Sequence, residues 1–196
     1  ALARLEASAE GHEVGRVLSV DRQLCRIGGL GAPQWVRCVG RVARPEDKGS
    51  LPAVGDWALL GRQSGSLVVE GLVARSTRLL RRAAGPRPEP QILCANVEQV
   101  LIVTAFGPDL SVRRLERFLL AIHEGGARPV VLLNKADLVA DAEAQLDALR
   151  RETLGVEVLA VSATTGLGFD ALRELLPPRS TTDRKSTRLN SSHTIQ

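Results

Sequence analysis

The chain has 196 residues, 44% hydrophobic and 24% charged, with a formal net charge of +4; this is enough for one or two globular domains and excludes a wholly disordered chain. No apolar run approaches the ~20 residues of a membrane-spanning helix, and the N-terminal stretch lacks a signal peptide's apolar middle, so a soluble cytoplasmic monomer with no membrane partner is expected. Residues 1–90 carry 14 basic and 9 acidic side chains while residues 91–182 carry 9 and 12, which places any polyanionic partner on the first half.

The chain opens on Ala1 and contains no Met, as a processed chain or a fragment would. Five runs rich in Val and Leu follow: VGRVLSV (14–20), QLCRIGG (23–29), QWVRCVGRVA (34–43), GDWALLGR (55–62) and SLVVEGLVARSTRLLRR (66–82). Turn chemistry separates them, at Gly28-Gly29, Gly31-Ala32-Pro33, the polar stretch 44–52 and Ser64-Gly65. Short, evenly punctuated strands predict a small β barrel over residues 1–82, and five of them fit an OB-fold, with another small barrel or sandwich as the competitor. Cys25, Cys38 and Cys94 are odd in number and widely spaced, which suits buried reduced thiols better than a disulfide framework or a zinc site. Aromatic residues make up 3% of the chain, which argues against a platform of exposed rings for base stacking.

Residues 83–91, AAGPRPEPQ, hold three prolines, so residues 83–97 are expected to run as an extended linker. Beyond it the period changes. EQVLIVTAF (98–106) reads as a strand buried on both faces. Ser111 is placed to cap a helix whose apolar face is Val112, Leu115, Phe118, Leu119 and Ile122 and which stops at Gly125-Gly126. A strand (128–134), a helix (141–154), a strand (156–162) and a helix (168–176) complete an alternating β-α pattern over residues 98–178. Such a pattern predicts a parallel sheet with its ligand at the carboxyl ends of the strands.

Two of those strands run into informative residues. Val130–Leu133 leads into Asn134-Lys135-Ala136-Asp137, an N-K-x-D run, and Leu159–Val161 leads into Ser162-Ala163, 28 residues after Asn134. Each residue has a plain structural explanation: Asn134 as a turn former, Asp137 as a surface carboxylate, Ser162 as a helix cap. Their joint placement, at the end of a buried strand and of the next strand along the chain, favours a recognition site. The phosphate loop, GxxxxGK followed by Ser or Thr, is not found. The only lysines are Lys48, Lys135 and Lys185, and Lys185-Ser186 has Arg184 and Arg179 where the two glycines belong. The Mg-linked element D-x-x-G is likewise not found.

The order barrel, N-K-x-D, S-A resembles the RsgA (YjeQ/YloQ) family, circularly permuted GTPases of small ribosomal subunit biogenesis. The resemblance runs from about Gly15 to Pro178 and includes VGDWALL (54–60), VARSTRLLRR (73–82), ILCANVEQVLIVTA (92–105), NKAD and VSATTGLGFDALRELL (161–176). It implies an OB-fold RNA-binding barrel followed by the guanine-recognition half of a parallel-sheet, P-loop-type GTPase domain. Asn134, Lys135, Asp137, Ser162 and Ala163 would then meet the guanine of GTP or GDP. Asp137 would accept from the base's N1–H and exocyclic amine, Asn134 would bridge the base-binding loops, the Lys135 stem would lie over the ring, and Ala163 N–H would meet O6. The expected partner is the small ribosomal subunit and its rRNA, with Arg37, Arg41, Arg44, Arg62, Arg75 and Arg78 as candidate contacts, some of them ordinary solvated surface. In the family, Mg and a structural Zn are bound by elements whose ligands this sequence lacks, so no catalytic residue is assigned and no turnover is expected.

The tail Asp183–His193 lacks helical or strand periodicity and resembles the in-frame translation of a common short-read sequencing adapter. Residues 179–196 are therefore expected to be a non-native, disordered tail on a chain truncated at both ends. The competing functional reading is a nucleotide-independent RNA-binding OB-fold module with an α/β scaffold. An ordinary-order GTPase fused to a barrel is disfavoured, because no phosphate loop precedes N-K-x-D.

Overall fold

In the computed structural model, which describes residues 12–43, 51–82, 90–107, 110–153, 155–176 and 182–186, the chain forms two compact units, residues 1–96 and 97–196. Among the described residues, no helix is long and apolar enough to cross a membrane.

The first unit is built on alternation. Strands β1 (Glu13–Asp21), β2 (Leu24–Gly28), β3 (Gln34–Cys38), β4 (Trp57–Gln63) and β5 (Ser66–Leu72) close a barrel in the order β1-β2-β3-β5-β4, as an OB-fold does. The β3–β5 pair is parallel and the others antiparallel. A register shift between Val17 and Ser19 marks a bulge in β1, the strand that pairs with both β2 and β4; a bulge bends and twists a strand enough to serve two neighbours. Inward positions bury Val17, Cys25, Ile27, Val36, Cys38, Ala58, Leu60 and Val69 in one cluster. All three cysteines are buried free thiols. The Cys25 and Cys38 sulfurs lie 3.2 Å apart in a thiol hydrogen bond. That bond, with burial, raises the Cys25 pKa well above the ordinary thiol value, while the bond from Cys25 lowers that of Cys38.

Two of the long runs in the sequence break. The run 34–43 stops as a strand at Cys38, and Gly40 at φ +56 starts a one-turn helix, α1 (Gly40–Ala43), whose Val42 joins the barrel core. The run 66–82 stops at Leu72 and resumes as β6 (Arg78–Arg82). The interruption has a cause: Arg75 turns inward to meet Asp56, a carboxylate with no exposed surface. Asp56 accepts from Arg75 Nε and Nη2, both at 2.7 Å, and from Ala53 N–H at 2.8 Å, while Arg75 Nη2 also donates to Leu51 O at 2.6 Å. A buried charge is tolerated when it is paired and fully hydrogen-bonded in this way.

Within the stretch expected to run as a linker, Pro90–Ala95 forms β7, antiparallel to β6. Proline is compatible with a strand's first position, where its missing N–H costs no ladder bond. Asn96 then ties this hairpin to the barrel. Its Nδ2 donates to Gly55 O at 3.0 Å and its Oδ1 accepts from Ser76 N–H at 2.9 Å, while Arg16 Nη2 donates to its carbonyl at 3.0 Å. Ala95 N–H donates to Val54 O at 2.9 Å. Gly55 (φ +89) is required here, since a Cβ would run into the Ala95 carbonyl.

The second unit is a parallel sheet in the order β10-β9-β8-β11, formed by β8 (Gln99–Ala105), β9 (Arg128–Asn134), β10 (Glu157–Ala160) and β11 (Thr182–Ser186). Helices α2 (Val112–Glu124), α3 (Ala142–Glu152) and α4 (Phe169–Leu175) follow β8, β9 and β10 in turn. The near-continuous apolar runs of β8 and β9 are buried on both faces, as parallel central strands require. Ser111 stands at the N-cap of α2 but makes no side-chain cap bond; its carbonyl accepts from Arg114 and Leu115 N–H instead. The described part of the tail, residues 182–186, also departs from expectation. Residues 182–186 pair in register with Gln99–Val103 of β8. Ladder bonds are made by the main chain, so a polar sequence without strand periodicity can occupy the edge of a well-formed strand.

Candidate functional site

The carboxyl ends of β9 and β10 lie side by side, with Leu133 opposite Ala160. Asn134, half-buried, ends β9, and its carbonyl accepts from Phe106 N–H at 3.2 Å. The chain then turns through Lys135 in the left-handed region (φ +67) into a single 3-10 turn, Ala136–Leu138. A non-glycine residue there is uncommon and marks a turn held by its surroundings. The turn buries Ala136 and leaves Lys135 and Asp137 exposed. Among the described residues Asp137 enters no ion pair.

The loop after β10 is braced against this turn by three hydrogen bonds. Val161 N–H donates to Leu133 O at 2.9 Å, Ala136 N–H donates to Val161 O at 3.1 Å, and Ala163 N–H donates to Asn134 Oδ1 at 3.0 Å. Ser162 has no exposed surface and works inside the loop: its Oγ accepts from Thr165 N–H at 3.1 Å, its N–H donates to Leu167 O, and its carbonyl accepts from Gly166 N–H. Its role is therefore to shape the loop that carries exposed Ala163. All five residues singled out in the sequence gather on these two loops. The amide of Ala163, expected to meet O6, here donates to Asn134 Oδ1.

The six arginines distribute differently. Arg37 (β3), Arg41 (α1), Arg62 (β4) and Arg78 (β6) are exposed, whereas Arg44 lies outside the described residues. Arg75 is only 14% exposed and is committed to Asp56. Arg26 and Trp35, which no local motif singles out, are placed by the alternation of β2 and β3 on the same outward face as Arg37. Parity with Arg37 along β3 is the signal that finds Trp35. Among the described residues no group of three His, Cys, Asp or Glu side chains converges to hold a metal.

The sequence profile of the family described as RsgA GTPase matches residues 72–182. The chain is 38% identical over 169 residues to the small ribosomal subunit biogenesis GTPase RsgA of Methanosarcina acetivorans, covering 85% of this chain and 45% of that protein. It is 40% identical over 168 residues to the protein of the same name from Xanthomonas oryzae pv. oryzae, covering 85% and 43%. The chain thus spans about half the length of the curated relatives it matches. Its fold is similar to that of YjeQ from Thermotoga maritima, with a TM-score of 0.65 at 23% identity over 87% of this chain and 59% of that one. It is also similar to that of YloQ, described as a circularly permuted GTPase, with a TM-score of 0.62 at 20% identity over 91% and 61%.

Proposed function

The chain belongs to the RsgA GTPase family, and from that membership we propose that its second unit recognises the guanine base of GTP and GDP while its first unit contacts rRNA during biogenesis of the small ribosomal subunit. The observation that carries the base reading is the 3.0 Å bond from Ala163 N–H to Asn134 Oδ1, which joins two loops otherwise separate in sequence beside the exposed Asp137. An ionised carboxylate is acceptor-only, and guanine offers it two donors, N1–H and the exocyclic amine. Adenine offers no such pair, so the wrong base leaves the carboxylate unmatched. Lys135 supplies an apolar stem for the ring and Ser162 holds the loop. Ala163 N–H serves O6 by exchanging its internal acceptor, Asn134 Oδ1, for the base. Phosphate, Mg and water-positioning chemistry is assigned to no residue of this chain.

The test joins this chain to the phosphate loop of a family relative and compares guanine, adenine and xanthine nucleotides by titration. The joined protein should prefer guanine. Asp137→Asn should weaken guanine binding by at least ~10²-fold and favour xanthine, because an amide N–H₂ suits xanthine's carbonyl in place of the amine. Equal guanine affinity for the two versions sinks the assignment and leaves a nucleotide-independent RNA-binding module.

A further inference from the structure

Five aromatic side chains occur in the chain, Trp35, Trp57, Phe106, Phe118 and Phe169, and only Trp35 is exposed. It shows 52% of its surface, while Trp57 packs beneath the guanidinium of Arg16 at 4.6 Å from its ring centre. Leaving so large an apolar side chain in water forgoes the stabilisation its burial would bring, so its surroundings matter. Trp35 lies on the outward face of β3, directly across from Arg26 in the β2–β3 register, and Arg37 follows two residues along the same face. Leu24, 41% exposed, sits across from Arg37. Arg26 and Arg37 enter no ion pair among the described residues. The face therefore presents one ring and one leucine between two guanidiniums. Neighbouring strands are about 5 Å apart and alternate residues about 7 Å apart along a strand, so both long arginines can reach past the ring edge.

We propose that this β2–β3 face binds an unpaired RNA strand, with one base stacked on Trp35 and the flanking phosphates held by Arg26 and Arg37. The inference rests on reading the barrel as an RNA contact and specifies the form of RNA it takes. Every base has a π face, so stacking is indifferent to sequence. A base inside a duplex has both faces covered by its neighbours, so duplex RNA can offer this face only its phosphates. The scarcity of aromatic residues argues against a platform of several rings, but a single ring with cationic flanks is enough to discriminate strandedness. Charge decides between occupants: two unneutralised guanidiniums beside the ring match a polyanion better than a second copy of the same basic face.

The experiment uses the 196-residue chain, octa-adenylate RNA and a blunt-ended RNA duplex, with intrinsic tryptophan fluorescence and salt titrations as readouts. Octa-adenylate should quench Trp35 emission, and the quench should disappear in Trp35→Ala. Trp35→Ala should weaken octa-adenylate binding by about 10-fold or more and leave duplex binding unchanged, whereas Trp35→Phe should keep most of the affinity. Arg26→Gln and Arg37→Gln should each flatten the salt dependence of octa-adenylate binding by about 0.7 in the log–log slope. A single-strand preference that survives Trp35→Ala overturns this inference and leaves the barrel's RNA contact standing. Failure of the unaltered chain to bind either RNA at low salt overturns both. Self-association abolished by Trp35→Ala, with RNA binding intact, assigns the face to a second copy and overturns it as well.

Discussion

Two aspartates show how differently the same side chain is used. Asp56 has no exposed surface and accepts three hydrogen bonds, two from Arg75 and one from Ala53 N–H. Asp137 is exposed on its 3-10 turn and enters no ion pair among the described residues. The first is structural, and the second is the carboxylate we propose to meet the base. Removing one partner of a buried pair leaves the other charged and desolvated, so Asp56→Ala should destabilise the first unit by about 3–5 kcal/mol. Urea unfolding followed through Trp57 measures this, and a loss below 1 kcal/mol, the range of exposed pairs, would show that water reaches the site. The sequence made Asp137 legible because N-K-x-D is a local pattern. It hid the work of Arg75, because nothing in VARST marks that arginine as the partner of a carboxylate 19 residues earlier. Trp35 was hidden for another reason: composition counts rings but not which of them face water.

Among the elements, the barrel strands were legible because outward and inward residues alternate, and β8 and β9 because unbroken apolar runs mark strands covered on both faces. The breaks after Cys38 and Leu72 were not, since Val and Leu continue through both. The strand β7 was masked by prolines that predict only extended chain. Three short motifs meet where this strand docks: Gly55 and Asp56 of VGD, Arg75 and Ser76 of VARST, and Asn96 of the A-N-V run. Their shared purpose is to fasten the β6–β7 hairpin to the barrel. Gly55→Ala should disturb that junction from both sides, through the cost of a left-handed non-glycine residue and through collision with the Ala95 carbonyl. A loss of at least about 1–2 kcal/mol is expected. Hydrogen exchange locates it: the amides of Ile92–Ala95 should exchange faster, while those of β2 stay protected. Unchanged exchange in β7 would mean that Asn96 alone holds the hairpin.

For the molecule as a whole, charge and topology divide the labour. The basic half is a closed barrel, and the acidic half is a sheet that gathers its base-reading candidates at the carboxyl ends of two neighbouring strands. This division was legible from charge counts and from the switch between strand and helix periods. The bridging of the two loops by Asn134 was implied by the family resemblance, but its atomic partner, the amide of Ala163, was not, because that contact depends on strands coming together in space. Hydrolysis requires groups that grip phosphate, and the chain holds no GxxxxGK run, so purified protein should release no phosphate from GTP above background. Phosphate release that Asp137→Ala abolishes would refute this. The fourth strand of the sheet has a practical consequence. Thr182–Ser186 lies beside β8 through main-chain pairing along Gln99–Val103, so the slot selects for extended backbone rather than for particular side chains. A slot of that kind can be filled from outside: a synthetic apolar pentapeptide added in excess should displace the tethered segment, turning this sheet into a scaffold for fragment complementation.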